Sequence, residues 1–161
     1  MYYYLNYFFL FSIIGHFIES FFYESGNSGI LLGWWTPIYG IGIIIILIIF
    51  KMLNKINSKN YIKGILLFFI CSILLSSIEA LGGYLIKLIF KKELWDYSNH
   101  MFNIGKYTSL EMATVWGISS ILFAYILKPL TDKIVMLIPK CLTFILTILF
   151  IIDFVSTLIL K

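Results

Sequence analysis

Five long apolar runs constrain this chain more than any other feature. They cover residues 2–23, 37–53, 61–90, 109–127 and 140–160, and the stretches between them are short and carry lysines. About 20 apolar residues in a helix, rising about 1.5 Å each, cross the ~30 Å hydrocarbon core of a bilayer. Lipid offers no partner to a free amide or carbonyl, so only a helix or a closed barrel can span it. A barrel strand alternates polar and apolar residues. The run from Ile43 to Phe50 does not alternate. The expected fold is therefore an all-α polytopic membrane helix bundle of about five transmembrane helices, forming one transmembrane domain over residues 1–161.

Composition agrees. The chain is 61% hydrophobic and 12% charged, against roughly 45–50% and about 25% in soluble domains. Its net charge of +4 comes from twelve lysines with no arginine. Lysines that flank helix ends imply a lipid bilayer as the partner and no nucleic acid. Cys71 and Cys141 fall inside predicted spans without ligand-like spacing and read as structural thiols, so no metal or cofactor is expected. The amino terminus lacks a basic n-region and a small-residue cleavage site, so it reads as the first span. Seven lysines (51, 55, 59, 63, 128, 133, 140) then share a side with the amino terminus, against five on the other (87, 91, 92, 106, 161). By the positive-inside rule the amino terminus is cytoplasmic.

The loops and helix starts carry further expectations. Thr36 is placed to cap the second helix, with Pro37 at its first position. Gly82 and Gly83 offer a place for the long third span to bend. Lys128 to Pro139 reads as a short amphipathic interfacial helix with Leu130, Ile134, Leu137 and Ile138 on one face. A shift of sixty positions aligns Phe8, Phe9, Ser12, Ile13, Ile18 and Glu19 with Phe68, Phe69, Ser72, Ile73, Ile78 and Glu79, and Trp35 with Trp95. The first and third spans run in the same direction, so this is a parallel two-helix repeat of the kind transporters use.

Chemistry is carried by acids inside apolar spans: Glu19, Glu79, Glu111 and Asp153. A charge at mid-span costs about 2.5–3.5 kcal/mol, against roughly 0.3–0.6 gained per Leu or Ile, so each acid should face protein or water. Their positions along alternating spans place all four toward one membrane face. The loops there carry Trp34-Trp35-Thr36-Pro37-Ile38-Tyr39-Gly40 and Trp95-Asp96-Tyr97-Ser98-Asn99. An acidic, aromatic-rimmed cavity follows if the helices pack accordingly.

Each residue also has a plainer reading. Thr108-Ser109-Leu110-Glu111 fits a capping box, with Glu111 closing back on the helix start. Asp153 can be a hydrated interfacial acid. His16 and Glu19, three apart, can pair on one helical face. The tryptophans and tyrosines can form an interfacial belt, while Pro37 with Gly40 and Gly42 can mark an irregular segment lining a cavity. Ser72, Ser76 and Gly83, like Ala113, Gly117, Ser120 and Ala124, form small-residue stripes suited to close helix packing. Gly40-Ile41-Gly42 is not followed by the lysine and hydroxyl of a phosphate loop, and neither HExxH nor an ordered Ser/His/Asp set occurs.

Gly15 with Glu19, Gly33 with Pro37-Ile38-Tyr39-Gly40 and Gly42, and Glu79 with Gly83-Tyr84 form a pattern. It continues through Trp95-Asp96-Tyr97-Ser98, Phe102-Asn103 with Gly105, and Trp116-Gly117. Over nearly the whole chain it resembles the CmpB-like family of small bacterial membrane proteins, type IV ABC-transporter permeases. His16 departs from the tryptophan that the family's pattern carries after the first-span glycine. The resemblance implies a permease-like role and establishes neither a substrate nor an ATPase partner. The expected function is a transport subunit moving a small solute or ion; a separate ATPase chain, required if it works as an ABC permease, and further copies of the chain are the candidate partners. The candidate solute- or ion-binding residues are His16, Glu19, Trp35, Pro37, Tyr39, Glu79, Trp95, Asp96, Tyr97, Asn103, Glu111 and Asp153. Two alternatives stand beside it: a membrane-embedded metal enzyme built on His16, Glu19 and Glu79, and a membrane assembly or regulatory partner that transports nothing.

Overall fold

The computed structural model describes residues 1–22 and 29–161. The chain is helical: α1 (Tyr2–Phe22), α2 (Pro37–Leu53), α3 (Asn60–Phe90), α4 (Leu110–Leu122), a π-helical turn (Phe123–Leu127), α5 (Lys128–Leu137) and α6 (Lys140–Leu160). The described residues contain no strand, only an isolated bridge between Asn103 and Ser109. Every expected span has its helix. Tyr23 and Glu24, expected to end the first span and begin the first loop, lie outside the described residues.

Among the described residues, three helical stretches are long and apolar enough to cross a bilayer: α3, the continuous Leu110–Leu137 rod, and α6; α2 is a shorter apolar helix. Little of α6 is buried in protein. Phe144, Ile151, Ile152 and Phe154 stay exposed. An outward apolar surface of that extent is unsuited to water and suited to acyl chains.

Local rules explain the helix ends. Ser109 is extended and its hydroxyl accepts from the Met112 amide, so Ser109 is the cap of α4. The expected box ending in Glu111 is one residue out of register, because the Thr108 hydroxyl is engaged elsewhere. Lys91 closes α3 in the left-handed region, φ 53°, its amide returning to the Lys87 carbonyl. The helix α3 runs through Gly82 and Gly83 without interruption. The rod from α4 into α5 survives Pro129 because the turn before it widens. Proline lacks the amide that would serve the carbonyl four residues back, and its ring crowds that carbonyl. A π turn makes room for it, with the Lys128 amide reaching back to the Phe123 carbonyl.

The amphipathic segment at 128–137 is thus a continuation of α4 rather than a separate interfacial helix. Its apolar residues Leu130, Ile134 and Leu137 are exposed, whereas Thr131 and Val135 are buried. In a membrane protein the apolar face can turn to lipid while the polar face is used internally.

The chain divides into two compact units, residues 1–44 with 131–161, and residues 45–130. In the first unit the amino-terminal half of α1 packs a polar cluster. Tyr3 and Tyr7 both donate to Asp132 Oδ1, at 2.6 and 2.7 Å. Asn6 donates to the Val135 carbonyl and accepts from the Thr143 hydroxyl. Tyr7 and Thr143 are fully buried. These bonds satisfy polar groups that lipid would leave bare.

In the second unit α3 packs along α4. A Cβ on Gly117 would collide with Ser72 and the Phe68 ring, so the helices approach as closely as glycine allows. The first unit repeats the arrangement: a Cβ on Gly40 would collide with Ser12 and Phe8. Edge-to-face ring pairs sit alike, Phe8–Phe9 at 5.3 Å and Phe68–Phe69 at 5.2 Å. The sixty-position repeat read from α1 and α3 is therefore present in each unit's internal packing. It extends to the second helix at a different offset, because Gly40 and Gly117 are 77 positions apart. Trp35 and Trp95, matched at sixty, are not equivalents. Trp35 stands two residues before α2, whereas Trp95 sits within the longer loop that precedes α4. Gly40 and Gly42 are ordinary helical positions in α2, so the irregular cavity-lining segment expected at Pro37 is absent.

Candidate functional site

The second unit builds its site around Glu79, which is 5% exposed in the apolar body of α3. Tyr97 donates to Oε1 at 3.1 Å. Thr108 and Trp116 Nε1 donate to Oε2, each at 3.3 Å. Three neutral donors on a carboxylate, from the loop, the entry to α4 and α4 itself, offset the loss of water around it.

The loop 91–109 is held so that Tyr97 and Thr108 can reach that carboxylate. Trp95 Nε1 donates to the Tyr107 carbonyl, and the Tyr97 amide to the Lys106 carbonyl. Asp96 accepts from the Ser98 amide at 2.8 Å and pairs with Lys106 at 3.2 Å. Glu93 pairs with Lys106 at 2.7 Å and Lys87 at 2.8 Å. The hydrogen bond from Lys106, with that from Lys87, pulls the Glu93 carboxyl down to about 2. The side-chain and backbone bonds from Ser98 lead in lowering Asp96 to about 2. The ring of Tyr107 lies where a Cβ on Gly83 would be, so Gly83 serves this contact. Of the other expected residues, Asn103 is exposed and donates to the Ser98 carbonyl at 3.4 Å. Glu111 is exposed in the first turn of α4, 3.9 Å from His100 Nδ1. It is a helix-start acid at the water-facing loop, favoured there by the helix dipole.

The first unit sets Glu19 of α1 and Asp153 of α6 against the segment that leads into α2. Asp153 accepts from the Leu32 amide at 3.0 Å, the Gly33 amide at 2.9 Å and the Thr157 hydroxyl at 3.3 Å. It is an anchor for the backbone of 29–36. Glu19 is half-buried. Among the described residues, the side chains that act on it are Thr36 and Tyr39. The Thr36 hydroxyl is buried, faces this carboxylate, and closes no hydrogen bond of ordinary length. Thr36 therefore precedes Pro37 as expected but does not cap α2 with its side chain. The His16 ring stands edge-on to Phe17 at 6.0 Å, and His16 is not among the groups acting on Glu19. The expected His16–Glu19 pair is replaced by contacts to α2.

Trp35 packs edge-on against Phe9 and Phe150, and its Nε1 is buried without a partner. Beside it, Ile13, Gly33, Trp34 and Trp35 line a cleft of about 240 Å³. Trp34 is 69% exposed. The tryptophans thus divide: Trp34 suits an interfacial belt, whereas Trp35, Trp95 and Trp116 are built into the units.

Glu19 and Glu79 belong to different units and have separate partner sets. Sequence reasoning missed Thr108 and Trp116 as partners of Glu79, and Asp132 as the centre of the tyrosine cluster. Asp132 had no sequence signal, because the pattern of 128–138 marks Leu130, Ile134, Leu137 and Ile138 as the packing face, whereas the structure buries Thr131 and Val135. No group of three His, Cys, Asp or Glu among the described residues could hold a metal ion.

Apolar helices that must lie in lipid, with carboxylates in their interior served by neutral donors, define a polytopic membrane protein built to keep acids in a bilayer. The chain belongs to the family described as "Putative ABC-transporter type IV" (ABC_trans_CmpB), whose model matches residues 6–158. It is a membrane protein of a transporter family. No curated protein and no solved structure matches it.

Proposed function

We propose that the chain is the membrane-spanning permease subunit of an ABC-type transporter, moving a small solute or ion past intramembrane carboxylates. The observation that carries this reading is the repeated carboxylate, Glu19 on α1 and Glu79 on α3, each set against the start of the next helix in its unit: Thr36 and Tyr39 act on Glu19, and Thr108 and Trp116 donate to Glu79. Neither forms an ion pair among the described residues. Acids retained at such insertion cost are functional by default. The aromatic cleft at Trp34 and Trp35 supports a cavity rimmed by indoles. Energy comes from a separate ATPase chain, as no phosphate loop occurs here. The spans form one membrane domain with a cytoplasmic amino terminus, and the permease works as a homo-oligomer.

Pure protein in liposomes, with and without an ATPase chain recovered by gentle-detergent pull-down, should carry flux. The Glu19→Gln/Glu79→Gln double variant should lose it. Undiminished flux in the double variant would remove the carboxylates from the mechanism. Recovery of an unrelated membrane complex, with no flux, would favour a non-transporting assembly partner. The metal-enzyme alternative lacks a converged ligand set among the described residues.

A further inference from the structure

The loop 91–109 joins two parts of opposite character. Glu93, Asp96 and Lys106 form its charged edge, an exposed ion-pair network suited to water. Its tip is apolar: Met101 is 83% exposed, Phe102 57% and Ile104 62%, and Leu110 beside them is 52% exposed. Contiguous apolar exposure is expected on a span, where lipid covers it, and calls for a partner on a connection between spans. Backbone bonds fix where this tip lies. The Leu110 amide donates to the Phe102 carbonyl and the Ile104 amide to the Thr108 carbonyl, each at 2.9 Å. The tip therefore runs beside the start of α4, with two of its polar backbone groups met.

Both helices of the unit put that start at the edge of the hydrocarbon. Between Lys63 and Lys87, α3 carries one charged residue, Glu79. The lysines are 24 positions apart, about 36 Å along the axis, so a ~30 Å core fits between them with about 3 Å to spare at each end. Glu79, eight positions before Lys87, then lies about 9 Å inside the core. Trp116 donates to Glu79 and so shares its depth. Leu110 is six positions before Trp116, about 9 Å back toward the same surface. The two helices agree, and Leu110 with its bonded neighbour Phe102 stands at the hydrocarbon boundary. His100 and Glu111, 3.9 Å apart and flanking the tip and Leu110, limit its depth to the headgroup zone.

We propose that Met101, Phe102 and Ile104 enter the boundary between acyl chains and headgroups of one leaflet, so that the bilayer itself anchors the loop that closes on Glu79. Short apolar segments bind at this boundary by burying their side chains among the first acyl carbons. The ion pairs then hold the loop from its water side, and the leaflet holds it from the other. Tyr97 and Thr108, which lie either side of the tip in the chain, are kept on the carboxylate between them. The inference needs only that the chain spans a bilayer, and it stands whether or not the chain transports.

The test puts a fluorescent nitrobenzoxadiazole group on the tip of the full chain in lipid nanodiscs. Cys71 is fully buried and Cys141 is replaced by serine, so Met101→Cys takes the label. Lys92→Cys, exposed just beyond the end of α3, is the water-side control. A nitroxide on the acyl chain close to the headgroup should quench position 101 at least about threefold more than position 92, with aqueous iodide giving the reverse order. Phe102→Asp/Ile104→Asp should bring lipid quenching at 101 down to the level at 92. In the same double variant, without any label, hydroxyl-radical oxidation of Met101 should rise at least about threefold. Thermal melts confirm that each variant is folded. Iodide quenching as strong at 101 as at 92 would put the tip in water and overturn the proposal. Protection of 101 from both quenchers would overturn it too, since a second copy or another protein would then cover the tip. Lipid quenching unchanged in the double variant would show that Phe102 and Ile104 are not the anchor.

Discussion

The two units solve one packing problem in the same way and one electrostatic problem in different ways. Both cross their helices at a glycine set against a serine and a phenylalanine: Gly40 on Ser12 and Phe8, Gly117 on Ser72 and Phe68. Both place a glutamate eleven positions beyond that phenylalanine and seven beyond that serine, Glu19 and Glu79. The second unit then folds a long loop back so that Tyr97 and Thr108 close on the acid. The first unit enters α2 with a short segment pinned by Asp153, and leaves Thr36 and Trp35 with unspent polar atoms. A shared helix crossing can thus carry either a sealed acid or an accessible one, depending on the connection between its helices.

Removing the acids should separate the units most sharply. Glu79→Ala takes the acceptor from the buried Thr108 hydroxyl and from the part-buried Tyr97 and Trp116 groups, and a buried donor left unmet costs about 1–3 kcal/mol. Removal of an intramembrane charge offsets part of that loss. A net destabilisation of about 3 kcal/mol is expected in detergent melts, with hydrogen exchange rising across 91–109. Glu19→Ala breaks no hydrogen bond of ordinary length among the described residues and should change stability by less than about 1 kcal/mol. Equal losses in the two variants would break the distinction between sealed and accessible carboxylates.

Next come the crossings. Gly40→Ala and Gly117→Ala each overpack a tight contact, at about 1–3 kcal/mol. Gly40→Ala should be the worse, because its new methyl also meets the Phe8 backbone carbonyl, which cannot rotate away. Ser72→Gly should recover part of the Gly117→Ala loss, and Ser12→Gly less of the Gly40→Ala loss. Additive double variants would show that the serines are not what the methyls strike. A smaller effect is expected from Asp153→Asn, about 1 kcal/mol, since the amide side chain accepts through one oxygen instead of two. Faster exchange at the Leu32 and Gly33 amides alone would report it; unchanged exchange there would show that Asp153 does not hold the segment.

How far the sequence reached depended on the kind of signal. The helices were legible because long apolar runs without alternation leave one choice of backbone in lipid. The repeat was legible in α1 and α3, where Phe-Phe, Ser and Glu keep register. It faded beyond Trp35 because the loop before α4 is longer and the offset changes. Within-helix spacing suggested that His16 serves Glu19, whereas the observed partners come from the start of α2, a tertiary contact that spacing cannot encode. The same holds for Trp116 and Thr108. Thr108 was read as part of a capping box because its local pattern allows one. Ser109 takes that role and frees Thr108 for Glu79. Asp132 was passed over because it lies in an amphipathic stretch, where a charge ordinarily faces water.

The smallest effect concerns what each connection is made of. The loop 91–109 is tied by Glu93 and Asp96 to Lys106 and Lys87. The segment 29–36 is tied by backbone amides to Asp153 and by Lys161 to the Ile30 carbonyl. Glu93 and Asp96 titrate at about 2 when folded, below their ordinary 4.5 and 3.8. A carboxylate lowered by folding contributes order that is complete above its unfolded value and lost as pH falls toward the folded one. Order in 91–109 should therefore be flat above about pH 5 and decline between about pH 4.5 and 2. Lys106→Gln should move that decline upward, toward the ordinary carboxylate range. Because these ion pairs are exposed, high salt should weaken them and leave the Leu32 and Gly33 amides unaffected. Hydrogen exchange at Tyr97, whose amide bonds the Lys106 carbonyl, reads all three arms. A Tyr97 amide equally protected at pH 5 and pH 2, in the parent and in Lys106→Gln alike, would mean that the ion pairs do not order the loop, and that Glu79 alone holds it in place.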